Sequence, residues 1–156
     1  MTGEYSSEAG GFRYLGERAD HWMSFARSSD PQERRLGVYA LGEVGSPDVV
    51  PPLEAALRDP LSFVRVWAAA ALGRACPDRE PDVVAALSAE RGDPAAFVRS
   101  LVAWSLGRLT YQHGGQEESL GTLRVMSGDP DQSVRAEADR ALHQILRRTR
   151  RMEFRG

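Results

Sequence analysis

Three segments of the chain share one pattern of apolar positions. Counted from Val64, Val98 and Val134, apolar or small residues recur at offsets 4, 7 and 8 in each segment. This spacing places them on one face of an α-helix. An Asp-Pro pair precedes each valine, and both residues favour the start of a helix. The pattern therefore predicts three helices, termed A helices. An earlier copy ends at Ala40-Leu41-Gly42, and the glycines Gly42, Gly73 and Gly107 are predicted to end their helices.

A second apolar pattern predicts a companion helix, termed B, after each of the first three A helices. Its inward positions are Val50, Leu53 and Leu57, then Val84 and Leu87, then Leu120 and Leu123. From Leu53, Leu87 and Leu123, the next A helix valine always lies 11 residues further on. All length variation falls in the A-to-B connections, at 74–80 and 108–116. The constant distance from each B helix to the next A helix predicts stacked helical hairpins. The A-to-B loops of variable length are then expected to project from one edge of the stack.

The residues of these hairpins resemble a known family. The pattern Asp-Pro-x3-Val-Arg-x2-Ala-Ala-x-Ala-Leu-Gly at 59–73, with Pro-x2-Val-x2-Leu at 47–53, is similar to the PBS-lyase subgroup of HEAT repeats. The resemblance implies an all-α fold, a short right-handed α-solenoid of about 3.5 hairpins, and residues 16–27 add an N-terminal cap helix. We expect a flexible segment at 1–15, the repeat domain at 16–148 and a basic tail at 149–156.

One arginine follows the valine of each A helix, and this row admits two interpretations. Arginines at a fixed repeat position could bind phosphate. The fixed distance from an aspartate instead favours an intramolecular Asp–Arg ladder along the stack. The residues assigned to this ladder are Asp59, Arg65, Asp93, Arg99, Asp129 and Arg135, with Arg34 in the earlier copy.

The charge of the chain is distributed unevenly, with a basic segment at the C-terminus. The formal net charge is -2, but residues 147–156 hold five arginines and one glutamate. The body is therefore acidic and the tail basic. Cys76 is the one cysteine, which excludes an internal disulfide and fits a reducing compartment. We see no signal peptide and no apolar run long enough to span a membrane, and we predict a cytoplasmic protein.

The residue types that carry catalysis do not form a recognisable motif. The histidines His21, His113 and His143 lie in different segments and lack the spacing of a zinc site. Cys76 has no assignable partner, and nucleotide-binding and nucleophile motifs are absent. We therefore predict a protein that is not an enzyme and that holds no metal or cofactor.

The outward faces of the B helices predict the main binding surface, because B helices line the concave side of such arrays. Small residues form its floor, and acids follow one margin, although acids also favour any first helical turn. A smooth surface of this kind suits a partner helix or peptide. Its predicted members are Asp48, Pro51, Ala55, Asp82, Ala85, Ala89, Glu118, Thr122 and Val125.

A second set of candidates lies in the A–B loops and on the opposite, convex face. Arg79, Tyr111 and His113 are assigned to projecting loops, which often carry recognition on a rigid scaffold. Tyr39 and Trp104 share one repeat position on the A helices. They either pack between neighbouring A helices or form an exposed patch that marks an interface.

These features together predict a scaffold or adaptor that binds another protein. Two alternatives stay open, namely nucleic-acid binding through the arginine-rich tail and an accessory role in a lyase-type enzyme. An acidic groove repels phosphate, so we do not expect nucleic acid as the partner. We expect no membrane partner, and a monomer or weak homodimer.

Overall fold

The computed structural model describes residues 19–74, 80–114 and 117–154. These ranges contain α-helices and two short 3-10 helices and no strand, which confirms the all-α prediction. The predicted segment 1–15 and the loop residue Arg79 lie outside the described residues. The helices are α1 (Ala19–Ala26), α2 (Pro31–Val44), α3 (Val50–Ala56), α4 (Ser62–Leu72), α5 (Glu80–Ala89), α6 (Ala96–His113), α7 (Glu117–Met126) and α8 (Gln132–Glu153). The 3-10 helices cover Pro47–Val49 and Glu90–Gly92.

The helices form two parallel rows, as expected for a short α-solenoid. The A helices α2, α4, α6 and α8 each contact the next along one row. The B helices α3, α5 and α7 form the other row, and each packs against its own A helix and the following one. Helix α1 contacts α2 and α3, so the predicted cap helix takes the place of a B helix before the first A helix.

One continuous core runs between the two rows. The A-helix positions at offsets 0, 4 and 7 are buried in all three predicted segments. At offset 8, Leu72 and Leu106 are fully buried, whereas Leu142 of the last A helix is only partly covered. Burial of one apolar stripe per helix stabilises the stack because each neighbour removes that stripe from water.

The repeat glycines serve close packing more than helix termination. Gly42 and Gly107 lie inside α2 and α6, so the prediction that they end helices is wrong; only Gly73 follows the end of its helix. A Cβ atom at these sites would meet the next A helix, at 2.7 Å for Gly42 to Ala71 Cβ, 2.5 Å for Gly73 to Ser105 Oγ and 2.5 Å for Gly107 to Ala141 Cβ. Glycine lets successive A helices approach where a larger residue would collide.

The continuation of α6 also corrects the second projecting loop. The helix runs to His113, so residues 108–113 are helical and Tyr111 and His113 do not lie in a loop. This part of the helix packs into the core, since Leu109 and Thr110 are both buried. Only a few residues connect α6 to α7, which begins at Glu117.

Candidate functional site

The structure pairs three of the ladder arginines, each with the aspartate of the following repeat. The Nε atoms of Arg34, Arg65 and Arg99 lie 2.7, 2.7 and 2.8 Å from the carboxylates that they meet. Their Nη2 atoms donate to the other carboxylate oxygen. The pairs are Arg34–Asp59, Arg65–Asp93 and Arg99–Asp129. These bidentate contacts occupy the guanidinium forks that a phosphate would need.

Each ladder aspartate also organises the turn that precedes its A helix. Asp59, Asp93 and Asp129 accept a hydrogen bond from the backbone N–H two residues later. The aspartate therefore braces the turn but is not itself the N-cap of the helix, which differs from the predicted Asp-Pro start. The third nitrogen of the arginine, Nη1, donates to backbone carbonyls of the same turn. Arg65 and Arg99, which also bind the aspartate of the following repeat, thus each join two turns.

The first repeat departs from this arrangement in an instructive way. Arg34 Nη1 donates to the carbonyl of Ser28, so Ser28 occupies the position that Asp59 holds in the next repeat. The Ser28 hydroxyl accepts from the backbone N–H of Asp30 and replaces the aspartate in the turn. Asp30 is instead the true N-cap of α2, accepting from Gln32. This explains why Asp30-Pro31 lies two residues too close in the sequence.

Charge pairing and burial shift the pKa values of the ladder groups. The hydrogen bond from Arg99 lowers the pKa of the Asp129 carboxyl below its ordinary value. Burial alone would raise the pKa of Asp93, but the hydrogen bonds from Arg65 and from the Ala95 backbone lower it overall. Hydrogen bonding to a charged form favours that form. The lowered pKa values keep the Asp93 and Asp129 carboxylates ionised to a lower pH than an ordinary aspartate.

The outward faces of the B helices form a shallow surface, termed the B-helix groove. Between α3 and α5 lies a hollow of about 380 Å³, lined by the predicted residues Asp82, Ala85 and Ala89. Between α1 and α3 lies another of about 240 Å³, lined by Pro51 and Ala55. All five of these residues are exposed, as are Asp48, Glu118 and Val125. Small side chains leave both hollows open.

The last B helix is rotated relative to the sequence expectation. Thr122 is 8% exposed, so its predicted place on the groove is wrong, and Leu120 is only partly buried. The inward face of α7 begins at Ser119, which is fully buried. Its hydroxyl lies 2.6 Å from that of Thr110. The two buried hydroxyls are hydrogen-bonded to each other, so burying them carries no unpaired polar group. Ser119 therefore takes the inward position that the apolar pattern assigned to Leu120.

Two acids that the sequence did not single out join this groove. Glu54 and Glu90 line the hollow between α3 and α5 together with Arg58. Partial burial raises the pKa of Glu90, and the nearby Asp93 raises it further. The four-residue spacing of Glu54 and Arg58 was the signal available, since it predicts that both side chains share one face at the end of α3. The acidic margin is therefore broader than predicted.

The aromatic residues of the A-helix row lie in two separate places. The Tyr39 ring packs edge-on against Trp67 with centroids 5.5 Å apart, and Tyr39 stays 43% exposed. Trp104 and Tyr111 line a hollow of about 280 Å³ between α6 and α8. Arg108 lies 5.7 Å from the Trp104 ring centroid. Tyr39 is thus both packed against a neighbouring A helix and partly exposed. His113 lines a different hollow between α6 and α8.

The basic C-terminus continues the last helix without a break at residue 148. Helix α8 extends to Glu153, and Arg148 lies 5.1 Å from the centroid of the Tyr111 ring. Met152 and Phe154 are 64% and 90% exposed. The described part of the predicted tail is therefore helical at its start, with apolar and basic side chains both facing solvent.

Two classes of site are not found in the described ranges. Within residues 19–74, 80–114 and 117–154, no three His, Cys, Asp or Glu side chains are placed to hold a metal ion. Over the same ranges, no helix has both the length and the apolar character needed to span a bilayer.

A family model for HEAT repeats matches residues 19–107, which is more than half of the chain. The chain belongs to the HEAT-repeat family. No curated protein matches this HEAT-repeat chain in sequence.

Solved structures share the fold of this HEAT-repeat chain at low sequence identity. Human deoxyhypusine hydroxylase is 22% identical with a TM-score of 0.69, over 83% of this chain and 43% of that one. The Escherichia coli protein YibA is 19% identical with a TM-score of 0.66, over 93% and 55%. The complex of CpcE and CpcF of phycocyanin lyase from Nostoc is 23% identical with a TM-score of 0.60, over 84% and 79%. The chain spans about half the length of the first two.

Proposed function

We propose that this chain is a protein-interaction scaffold that binds a helix or extended peptide of a partner protein in the B-helix groove. The observation that carries the proposal is the hollow between α3 and α5, where exposed Ala85 and Ala89 form a floor beside Asp82. Such a surface lets a partner backbone approach closely.

The charges along the groove specify the chemistry of the partner. Glu54, Asp82 and Glu90 border one hollow. Asp48, in the 3-10 helix before α3, and Glu118, on α7, are further exposed acids of the same margin. Arg58 is the basic residue of the same hollow. Complementary charge guides association and excludes partners of the wrong sign. The expected partner segment is amphipathic, with small apolar residues facing the floor and Lys or Arg facing the acidic margin.

A peptide-display selection on the immobilised chain tests this proposal. We expect the enriched peptides to be amphipathic and basic, and we expect Ala89→Arg to weaken their binding at least tenfold by filling and recharging the hollow. Ala136→Arg is the matched control, because Ala136 is an exposed helical alanine on α8 outside the groove. Enriched peptides that bind Ala89→Arg as tightly as the parent chain would remove the groove from the proposal.

A second candidate function is that of an accessory subunit in a lyase-type enzyme. The similarity to a chain in the complex of CpcE and CpcF supports it, since the match covers 79% of that chain. In this function the groove would hold a second enzyme subunit or its protein substrate. A visible absorption band that co-purifies with the chain would favour this role over a plain scaffold. Binding of labelled duplex DNA at low salt would instead support the alternative of nucleic-acid recognition.

A further inference from the structure

The last arginine of the ladder has no carboxylate in the described part of the chain. Arg135 donates from Nη1 to the carbonyls of Asp129 and Pro130, at 2.7 and 2.8 Å, as its counterparts do in their own turns. The carboxylate that Arg99 meets comes from the next repeat, at Asp129. No described residue offers one to Nε and Nη2 of Arg135. At the C-terminal edge, the Nε and Nη2 atoms of Arg135 therefore face no carboxylate of the described residues, unlike those of the three earlier ladder arginines.

The apolar positions on the same face of α8, two and three turns after Arg135, are also uncovered. In α6, Thr110 meets Ser119 of the following B helix, with their hydroxyls 2.6 Å apart. The equivalent position in α8, also 12 residues after the valine, is Leu146, which is 55% exposed. Leu142 is partly exposed where Leu106 is fully buried. The contacts that a following B helix makes elsewhere are the ones missing here.

The adjoining face of α8 is closed to another A helix. Nine residues after the valine, the internal A helices carry the glycines that admit a neighbour, whereas α8 carries His143. Asp139 stands where α6 has the fully buried Ala103. A bulky side chain and a charge at these positions exclude close A-helix packing. The edge therefore has room for one helix of the B type and not for a complete repeat.

We propose that the C-terminal edge is a second docking site, which binds one helix of a partner protein over Leu142 and Leu146 and pairs its carboxylate with Arg135. The internal repeats define what the partner must present. The ladder aspartate lies six residues after the inward leucine in all three B segments, as in Leu123 and Asp129. The partner is thus an amphipathic helix followed by an Asp or Glu at that spacing. This site lies apart from the B-helix groove.

A synthetic peptide with the sequence of residues 117–131 is the probe, because it contains α7 and the following aspartate. Titrated into the isotope-labelled full-length chain to about 1 mM, it is expected to shift the resonances of Arg135 Nε, Leu142 and Leu146. The same peptide with the equivalent of Asp129→Asn should bind about tenfold more weakly, since it loses the charged acceptor. Leu146→Glu in the protein should abolish the shifts without unfolding it, because this side chain is exposed.

The control variant is Val125→Glu, which changes a 65% exposed residue of the B-helix groove. It should leave the peptide shifts on α8 intact, and Leu146→Glu should leave groove ligands bound, so the two sites fail separately. Absence of any shift on α8 would overturn the proposal. Equal binding of the aspartate and asparagine peptides, or shifts confined to the groove or to residues around α7, would overturn it as well.

Discussion

Arg99 and Asp129 lie thirty residues apart in the sequence, and two hydrogen bonds of 2.8 and 2.9 Å join their side chains. The same guanidinium donates to the carbonyl of Asp93 at 2.8 Å in its own turn. Asp93 in turn accepts from Arg65. Each paired arginine and aspartate is therefore held by two repeats, so charged contacts join successive hairpins in addition to the apolar core.

The middle rung of this ladder should contribute measurably to stability. The side chains of Arg65 and Asp93 are 14% and 2% exposed, so Asp93→Asn leaves a poorly solvated guanidinium without its charge partner. We expect the free energy of unfolding to fall by about 2 kcal/mol. Denaturant unfolding followed by circular dichroism measures this. Asp139→Asn, at an exposed position on α8, should change the value by less than about 0.5 kcal/mol.

Two glycines on neighbouring helices should respond to alanine in opposite directions. Gly107→Ala places a Cβ 2.5 Å from the Cβ of Ala141 and forces α6 and α8 apart, which should cost about 1–3 kcal/mol. Gly121 lies within α7 with no atom within 4 Å of its Cβ position. Gly121→Ala should stabilise the chain by about 0.5–1 kcal/mol through helix propensity. Thermal unfolding of both variants separates the two effects, and stabilisation by Gly107→Ala would contradict the close approach.

Acid should weaken the stack through the ladder carboxylates. The pKa values of Asp93 and Asp129 are lowered from 3.8 in the folded chain, so their stabilising contribution is complete above that value. It is lost as the pH falls below 3.8 through the folded pKa values, because the unfolded chain then binds more protons. Unfolding free energies measured from pH 7 to pH 2 should show this decline. Asp129→Asn should show a shallower decline over the same range, and an unchanged slope would argue against the ladder as its source.

Glu90 should have the opposite pH dependence. Partial burial raises its pKa in the folded chain above 4.5, so the neutral form is favoured by folding. Its contribution is present below pH 4.5 and is lost as the pH rises through the folded pKa. Glu90→Gln should therefore raise the melting temperature at pH 7 but not at pH 4. A basic peptide in the B-helix groove should reduce this difference, because a nearby cation favours the ionised carboxylate.

The periodicity of apolar residues was sufficient to predict the helices and their pairing. The apolar residues at helical spacing after Val64, Val98 and Val134 predicted the A helices, because a helix that packs on one side buries one apolar face. The fixed distance from Leu53 to Val64, repeated twice, identified the hairpin array. The resemblance to HEAT repeats then supplied the handedness and the stacking, which no single segment encodes.

The sequence pattern predicted the wrong position for three residues whose placement depends on a neighbouring helix. Gly107 favours a helix end in isolation, yet it lies inside α6 because the next A helix needs its missing side chain. Leu120 is the apolar choice for the inward face of α7, yet Ser119 takes that place because Thr110 on another helix satisfies its hydroxyl. Thr122 follows the same rotation. Each outcome depends on an atom in a different helix, which local sequence does not specify.

The sequence by itself determined the helices, their pairing into hairpins and the residue types along the B-helix face, since these follow from periodicity and spacing. Only the tertiary structure decided which aspartate each arginine binds and that Arg135 meets no carboxylate among the described residues. The physical reason is that a ladder rung joins residues 25 to 30 positions apart. Whether such a rung forms depends on how neighbouring hairpins stack, and stacking is a property of the assembled array.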